Sequence, residues 1–391
     1  MNISSDGALL EVNLDWQVMS KLFVSGMTGL LGIWGVLTSR EVRRTLLTLR
    51  SAAIVLILVL GIPAGLSGFS QSALPSLAIN FAYLMMVATA LCYLRTSGCV
   101  IALLMGSAVL CGLSFVLYLG FPAYGVFEEN LGSVTVRRMS GMSHPNSVGR
   151  VAAIGLLLAI AARKTRHITF PTFGVLFVLF SLGMAFTLSR TSIVACIIGI
   201  GFLYLDKVRS RLGIQLLTLA AALFLGAVFF LLISGSESSL ADKVVGSVAK
   251  TGDASELTSG TGRAEIWTES IRLLGQRPLT GYGIGAAQSV LEEYSQSTHN
   301  MFLHAAMVSG IGGMLLMMGL AIHLLRIAFI GKYRIVGALA AVIMVSGIFE
   351  DTVLETFPGV GTILFFFCCL HVVDLPAQVK DDSATLGQTA L

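Results

Sequence analysis

The feature that most constrains this chain is the length of its apolar runs. Stretches of about 16–22 residues with almost no charge recur along it, which is the length a helix needs to cross a hydrocarbon core. Lipid cannot satisfy exposed backbone N–H and C=O groups, so such stretches must be helices or the strands of a closed barrel. A barrel would alternate apolar and polar residues over segments of about ten, and the sequence shows no such pattern. Composition agrees: of 391 residues, 55% are hydrophobic and 12% charged, with a mean hydropathy of +0.86. A soluble domain is about a quarter charged. The fold class that follows is all-α: a polytopic transmembrane helix bundle forming a single integral membrane domain over 1–391.

Eleven spans are predicted, at 19–38, 51–69, 76–94, 99–119, 147–162, 169–187, 191–205, 214–234, 300–325, 335–349 and 358–373. Those at 147–162, 191–205, 335–349 and 358–373 are short for a bilayer, and one of them reads as a candidate re-entrant segment. One set of connections carries Arg40, Arg43, Arg44, Arg50, Arg95, Arg163, Lys164, Arg166, Lys207, Arg209, Arg211, Arg326, Lys332 and Arg334. The other holds most of the acids, including Glu128, Glu129, Glu292, Glu293, Glu350 and Asp351. Basic loops stay on the cytoplasmic side, so the N-terminus is expected outside and the C-terminus inside. Asp6, Glu11 and Asp15 precede the first run, so that run reads as a retained helix and not a signal peptide. The 374–391 segment reads as a disordered cytoplasmic tail.

The net charge of +4 is scattered singly between apolar runs and does not point to nucleic acid. Cysteines 92, 99, 111, 196, 368 and 369 all lie within apolar runs, without metal-ligand or disulfide spacing, and read as small buried side chains. No carboxylate pair of metal-binding spacing stands in the outer loops near the first spans, so the site is expected to use no metal and no cofactor.

Two outer loops are longer than a connection requires, at about 120–146 and at 235–299, and long organised loops are usually functional. In the second, RAEIWTESIRLLG places Ile266, Trp267, Ser270, Ile271 and Leu274 on one face of a short helix. That pattern suits a helix on the membrane surface with its tryptophan at headgroup level. Gly275 and Pro278 end it, and Gly281, Gly283 and Gly285 allow tight turns before a second short helix.

Three residues stand out for chemistry. Arg190, in Leu188-Ser189-Arg190-Thr191, sits between two apolar runs with almost no loop. A cation held there needs an anion to meet, unless it snorkels to lipid phosphate. Arg263 opens the loop helix after Gly260-Thr261-Gly262, where free N–H groups, the helix dipole and a planar guanidinium favour phosphate, although a solvated arginine would look the same. His299, followed by Asn300 at the next span, is a candidate general base for a hydroxyl, with a capping role as its alternative. Arg272 and Arg277 are weaker candidates for substrate binding, as are Asn300 and His144, the last in a Ser143-His144-Pro145-Asn146 turn.

The order Gly141…His144-Pro145-Asn146, Leu188-Ser189-Arg190-Thr191, Gly262-Arg263…Trp267, Pro278-Leu279…Gly281-Tyr282-Gly283-Ile284-Gly285, His299-Asn300…Gly310…Gly313 resembles the O-antigen ligase and polymerase family of bacterial glycan assembly. The resemblance covers about 120–330. It implies a metal-independent, inverting glycosyltransferase of the bacterial inner membrane, with its site facing the periplasm. It implies a donor saccharide on undecaprenyl diphosphate and an acceptor glycan or glycolipid, within reach of other polysaccharide-assembly proteins. By that resemblance Arg190 and Arg263 bind the diphosphate and His299 activates the acceptor. The His-Pro-Asn element is closer to the polymerases of exopolysaccharide than to ligases that load lipid A-core. Family members often have twelve spans. A lipid-linked oligosaccharide flippase is the expectation from a different class, but it calls for internal repeats and a charged path, neither of which is visible.

Overall fold

The computed structural model describes residues 16–64, 73–131, 134–204, 263–291, 297–330, 333–351 and 353–371. Within them every regular element is a helix apart from one β-hairpin. The elements are α1 (Trp16–Thr38), α2 (Arg40–Leu46), α3 (Leu49–Leu60), α4 (Ile62–Ala64), α5 (Ala73–Gly120), α6 (Pro122–Gly125), β1 (Val126–Leu131) and β2 (Val134–Met139). They continue as α7 (Pro145–Lys164), α8 (Phe170–Thr187), α9 (Arg190–Leu203), α10 (Arg263–Gln276), α11 (Ala287–Val290), α12 (Met301–Ile330), α13 (Arg334–Phe349) and α14 (Val360–Leu370).

Five helices among the described residues are long and apolar enough to cross a membrane: α1, α5, α7, α8 and α12. A sixth candidate is α2 with α3 and α4, bent by 62°. The expected spans 76–94 and 99–119 are the two limbs of α5, parted at Arg95, whose backbone leaves helical geometry (φ 58°, ψ 177°). The expected spans 191–205, 335–349 and 358–373 correspond to α9, α13 and α14, of 14, 16 and 11 residues. These are shorter than the roughly 20 residues a full crossing needs. The span expected at 214–234 and, of the expected loop at 235–299, residues 235–262 and 292–296 lie outside the described residues, as does the 374–391 tail.

Helices α7 and α13 form the interior. Both are rich in alanine and glycine, and most residues of each are buried. Small side chains let helix backbones approach closely where lipid supplies no hydrophobic driving force. At Gly155 of α7, for example, a side chain would collide with the ring of Phe180 on α8.

Helix α12 is broken at Ser309–Gly310, where Gly310 takes φ +70°. The backbone groups freed by the break are not left orphaned, which in a membrane would be costly. Tyr282 N–H donates to Met307 O (2.6 Å), Gly283 N–H to Val308 O (3.1 Å), and Ile311 N–H to Pro278 O (2.7 Å). The Pro278–Gly283 segment is therefore stitched into the gap. The approach requires glycine on both sides. A Cβ at Gly281 (φ +61°) would lie 2.6 Å from Met307 O, and one at Gly310 would lie 2.5 Å from Pro278 O.

Candidate active site

Four separate parts of the chain meet at the carboxylate of Glu350, the residue that ends α13. The β-hairpin supplies the frame. Arg138 of β2 is buried, and each of its guanidinium nitrogens has a partner: Nε donates to Thr187 O (2.9 Å), one terminal nitrogen to Glu129 Oε2 (2.9 Å), and the other to Asn146 Oδ1 (2.7 Å). Asn146 is thereby oriented in the first turn of α7, with Pro145 ahead of it and His144 as N-cap. Its amide donates to Glu350 Oε1 at 2.9 Å.

Arg263 is the first residue of α10, as expected, and its guanidinium meets the same Oε1 at 3.0 Å while lying 5.9 Å above the Phe349 ring. One turn further along α10, Trp267 Nε1 donates to Thr298 O (3.1 Å), which ties the helix to the turn that carries His299. Asn300 fixes the other side of that turn. Its Oδ1 accepts from Phe302 N–H and Leu303 N–H, capping α12, and its amide donates to Ile348 O (3.0 Å). Between these anchors His299 adopts φ +48°, a conformation that non-glycine residues hold only where the surroundings enforce it. Its Nδ1 lies 3.3 Å from Glu350 Oε2.

The electrostatics follow from burial and charge. Glu350 is 7% exposed. Burial alone would raise its pKa, but the hydrogen bond and charge of His299, with the charges of Arg150 and Arg263, hold it down to about 2. For His299, burial favours the neutral ring, yet the hydrogen bond to Glu350 and the charges of Glu350 and Asp351 prevail over burial and Arg263, and its pKa rises. His144 goes the other way, to about 4. Burial dominates there, and Arg138 and His299 add to it against Glu350 and Glu129. His144 thus stays neutral beside the Phe127 ring, its Nδ1 accepting from Asn146 N–H.

His299, Glu350 and Asp351 offer donor atoms within 4.8 Å of one another, a spacing a cation could bridge. Glu350, however, already faces Arg263 and Arg150, and its Oε1 is occupied twice.

Of the residues predicted from sequence, Arg263 and His299 share one carboxylate. Arg190 begins α9 and is half-buried. It directly follows Ser189, which packs on Gly149 of α7, next to Arg150. Arg272 instead pairs with Glu269 on the exposed face of α10, and Arg277 lies over the Tyr282 ring at 5.6 Å. His144 and Asn300 act as helix caps. The expected membrane-facing stripe of α10 is corrected as well. Ile266, Ser270 and Leu273 are the buried positions, packed with Tyr282, Ala286 and Met307, whereas Ile271 is exposed. Sequence reading missed Glu350, Arg138, Asn146 and Arg150 as site residues. The available signal was the Glu350-Asp351 pair at the outer end of an apolar run, where acids are expensive without a partner.

Residues 175–318 match a protein family described as O-Antigen ligase. No match was found among curated proteins. The matched stretch contains Arg190, Arg263, the Pro278–Gly285 turn and His299, while Asn146 and Glu350 lie outside it and complete the cluster from either flank. Over residues 175–318 this integral membrane protein is thus similar to the O-antigen ligase family.

Proposed function

We propose that the protein transfers a saccharide from undecaprenyl diphosphate to an acceptor hydroxyl, without a metal ion and with inversion at the anomeric carbon, and that it polymerises surface-polysaccharide repeat units. The observation that carries this reading is the Arg263–Glu350–His299 cluster. With Nδ1–H directed at Glu350, the neutral imidazole has its lone pair on Nε2, the nitrogen through which it can accept a proton. The acceptor oxygen attacks the anomeric carbon as its proton passes to His299, and the bond to the diphosphate oxygen breaks with its electron pair staying on that oxygen. Arg263 meets the growing negative charge, and Arg190 is the proposed second donor. Such preorganised donors act most strongly where water is excluded. The basic-residue asymmetry of the connections supports an inner-membrane protein with this site facing the periplasm. The family description favours, as a second reading, ligation of the finished glycan to lipid A-core.

The test is purified full-length protein supplied with undecaprenyl-diphosphate-linked repeat units. Longer lipid-linked glycans support polymerisation, and glycan joined to lipid A-core supports ligation. Movement of donor across a vesicle without transfer supports a flippase and defeats the proposal. Arg190→Lys and Arg263→Lys are expected to lose nearly as much activity as the alanine variants, because lysine keeps the charge but not the planar pair of donors.

A further inference from the structure

Helices α3 and α12 lie side by side. A Cβ at Gly61, the C-cap of α3, would lie 2.9 Å from Val308 O, and one at Gly312 would lie 3.7 Å from Leu60 Cδ1. From that level, the stretch from Leu60 back to Arg50 and the stretch from Gly312 on to His323 each cover about 15–17 Å of helix. Arg50 and His323 therefore stand level with each other at the far ends of two antiparallel helices, and the charge of Arg50 reaches the His323 ring. Arg326, one turn beyond, acts on the same ring. The basic connections assign this end of the bundle to the cytoplasmic side.

The chain brings no negative charge to meet them. Arg50 Nε and His323 Nε2 are buried and have no hydrogen-bond partner among the described residues, a costly state for a polar atom. Arg326 is exposed. Helix α14 packs on both α3 and α12 and brings Cys369 near Arg50, yet these three helices together contain no aspartate or glutamate. Arg50 also stands in the first turn of α3, where the positive end of the helix dipole disfavours a cation. Positive groups gathered in this way repel one another and are relieved by an anion from outside the chain.

The apolar surface beside the cluster identifies that anion. Leu315, Met318, Ile322, Leu325 and Phe329 are all exposed and recur at helical spacing, so they form one continuous stripe down α12 that ends beside His323 and Arg326. On α3, Leu49 is exposed next to Arg50, and Leu56 and Val59 continue its outward face. A free phosphate has no use for such a stripe, whereas a phospholipid can lay an acyl chain along it. We propose that the Arg50, His323 and Arg326 end of α3 and α12 binds the phosphate of an anionic phospholipid, with an acyl chain against the exposed stripe of α12. The two guanidinium groups supply charge-assisted donors, and the imidazole offers an N–H in either protonation state. Basic pockets between helices on the cytoplasmic side suit anionic headgroups for this reason.

The test uses full-length protein in phosphatidylcholine vesicles that carry a trace of phosphatidylglycerol with a photoreactive group on one acyl chain. Irradiation and peptide mapping should place the label on α3 or on the part of α12 that carries the stripe. Unlabelled phosphatidylglycerol should compete it away, whereas inorganic phosphate should not. Arg50→Gln and Arg326→Gln should each cut the labelling about fivefold, and the double variant about 25-fold. Arg50→Lys should keep most of it, because a point charge also serves a phosphate. Arg166→Gln, on another basic connection, should leave it unchanged and so separates this site from the general charge of that face. Arg326 is exposed, so its variant keeps the test independent of folding. Undiminished labelling in Arg326→Gln, or equal labelling by a phosphatidylcholine probe, overturns the proposal. Competition by inorganic phosphate as strong as by the lipid would make this a site for the free ion and overturns the lipid assignment. No arm depends on glycan transfer, so the outcome stands apart from the proposed activity.

Discussion

His299 Nδ1 lies 3.3 Å from Glu350 Oε2 although 51 residues separate the two in the chain. In the proposed mechanism the carboxylate orients the ring, fixes the tautomer and stabilises the imidazolium that forms when the ring takes a proton. Glu350→Gln keeps the shape and a hydrogen-bonding oxygen but removes the charge. Transfer should fall by about 10²–10⁴-fold, with the donor KM changed less, and His299 should titrate lower than in wild type. Steady-state kinetics across pH read both effects, and a Glu350→Gln protein with wild-type kcat would remove the carboxylate from the mechanism.

The same pair gives folding stability a defined pH window. Glu350 is depressed to about 2 in the folded protein from an ordinary 4.5, so its contribution is full above the unfolded value and is lost as pH falls from 4.5 towards 2. His299 is raised above 6.5, so its contribution is full below that value and is lost as pH rises through the folded pKa. Thermal unfolding in detergent should therefore show the largest excess of wild type over Glu350→Gln between about 4.5 and 6.5. An excess independent of pH would contradict the ion-pair reading.

Trp267 joins the helix that carries Arg263 to the turn that carries His299, through one hydrogen bond to Thr298 O. Trp267→Phe keeps most of the apolar contact and loses only the donor. A stability loss of about 1 kcal/mol is expected, together with a disproportionate fall in kcat as the His299 turn loses an anchor. The relevant comparison is Tm against kcat on one preparation. If kcat is untouched while Tm drops, the bond serves stability alone.

Gly281 and Gly310 let the Pro278–Gly283 segment enter the break in α12. Alanine at either position brings a Cβ against backbone and takes up a positive φ, two penalties that cannot be relieved by rotating a side chain. Gly281→Ala and Gly310→Ala should each lower yield and Tm well beyond alanine at Gly275, where the structure leaves open space. Equal tolerance at all three sites would show that the segment is not locked into the helix.

The helical class, the positions of the main helices and the start of α10 at Arg263 were determined by the sequence alone. Each depends on local physics: apolar run length against bilayer thickness, the dipole and cap at a helix start, and glycine where φ must be positive. The three-dimensional arrangement decided what those residues do. Glu350 meets Asn146, Arg263 and His299 across separations of 204, 87 and 51 residues, and no run length or spacing encodes those meetings. Nor could composition show that Trp267 serves the His299 turn, or that Ile271 faces outward while Leu273 is buried. The strength of a charge pair depends on how much water its surroundings exclude. For Glu350, that exclusion exists only once α7, α10 and α13 have packed.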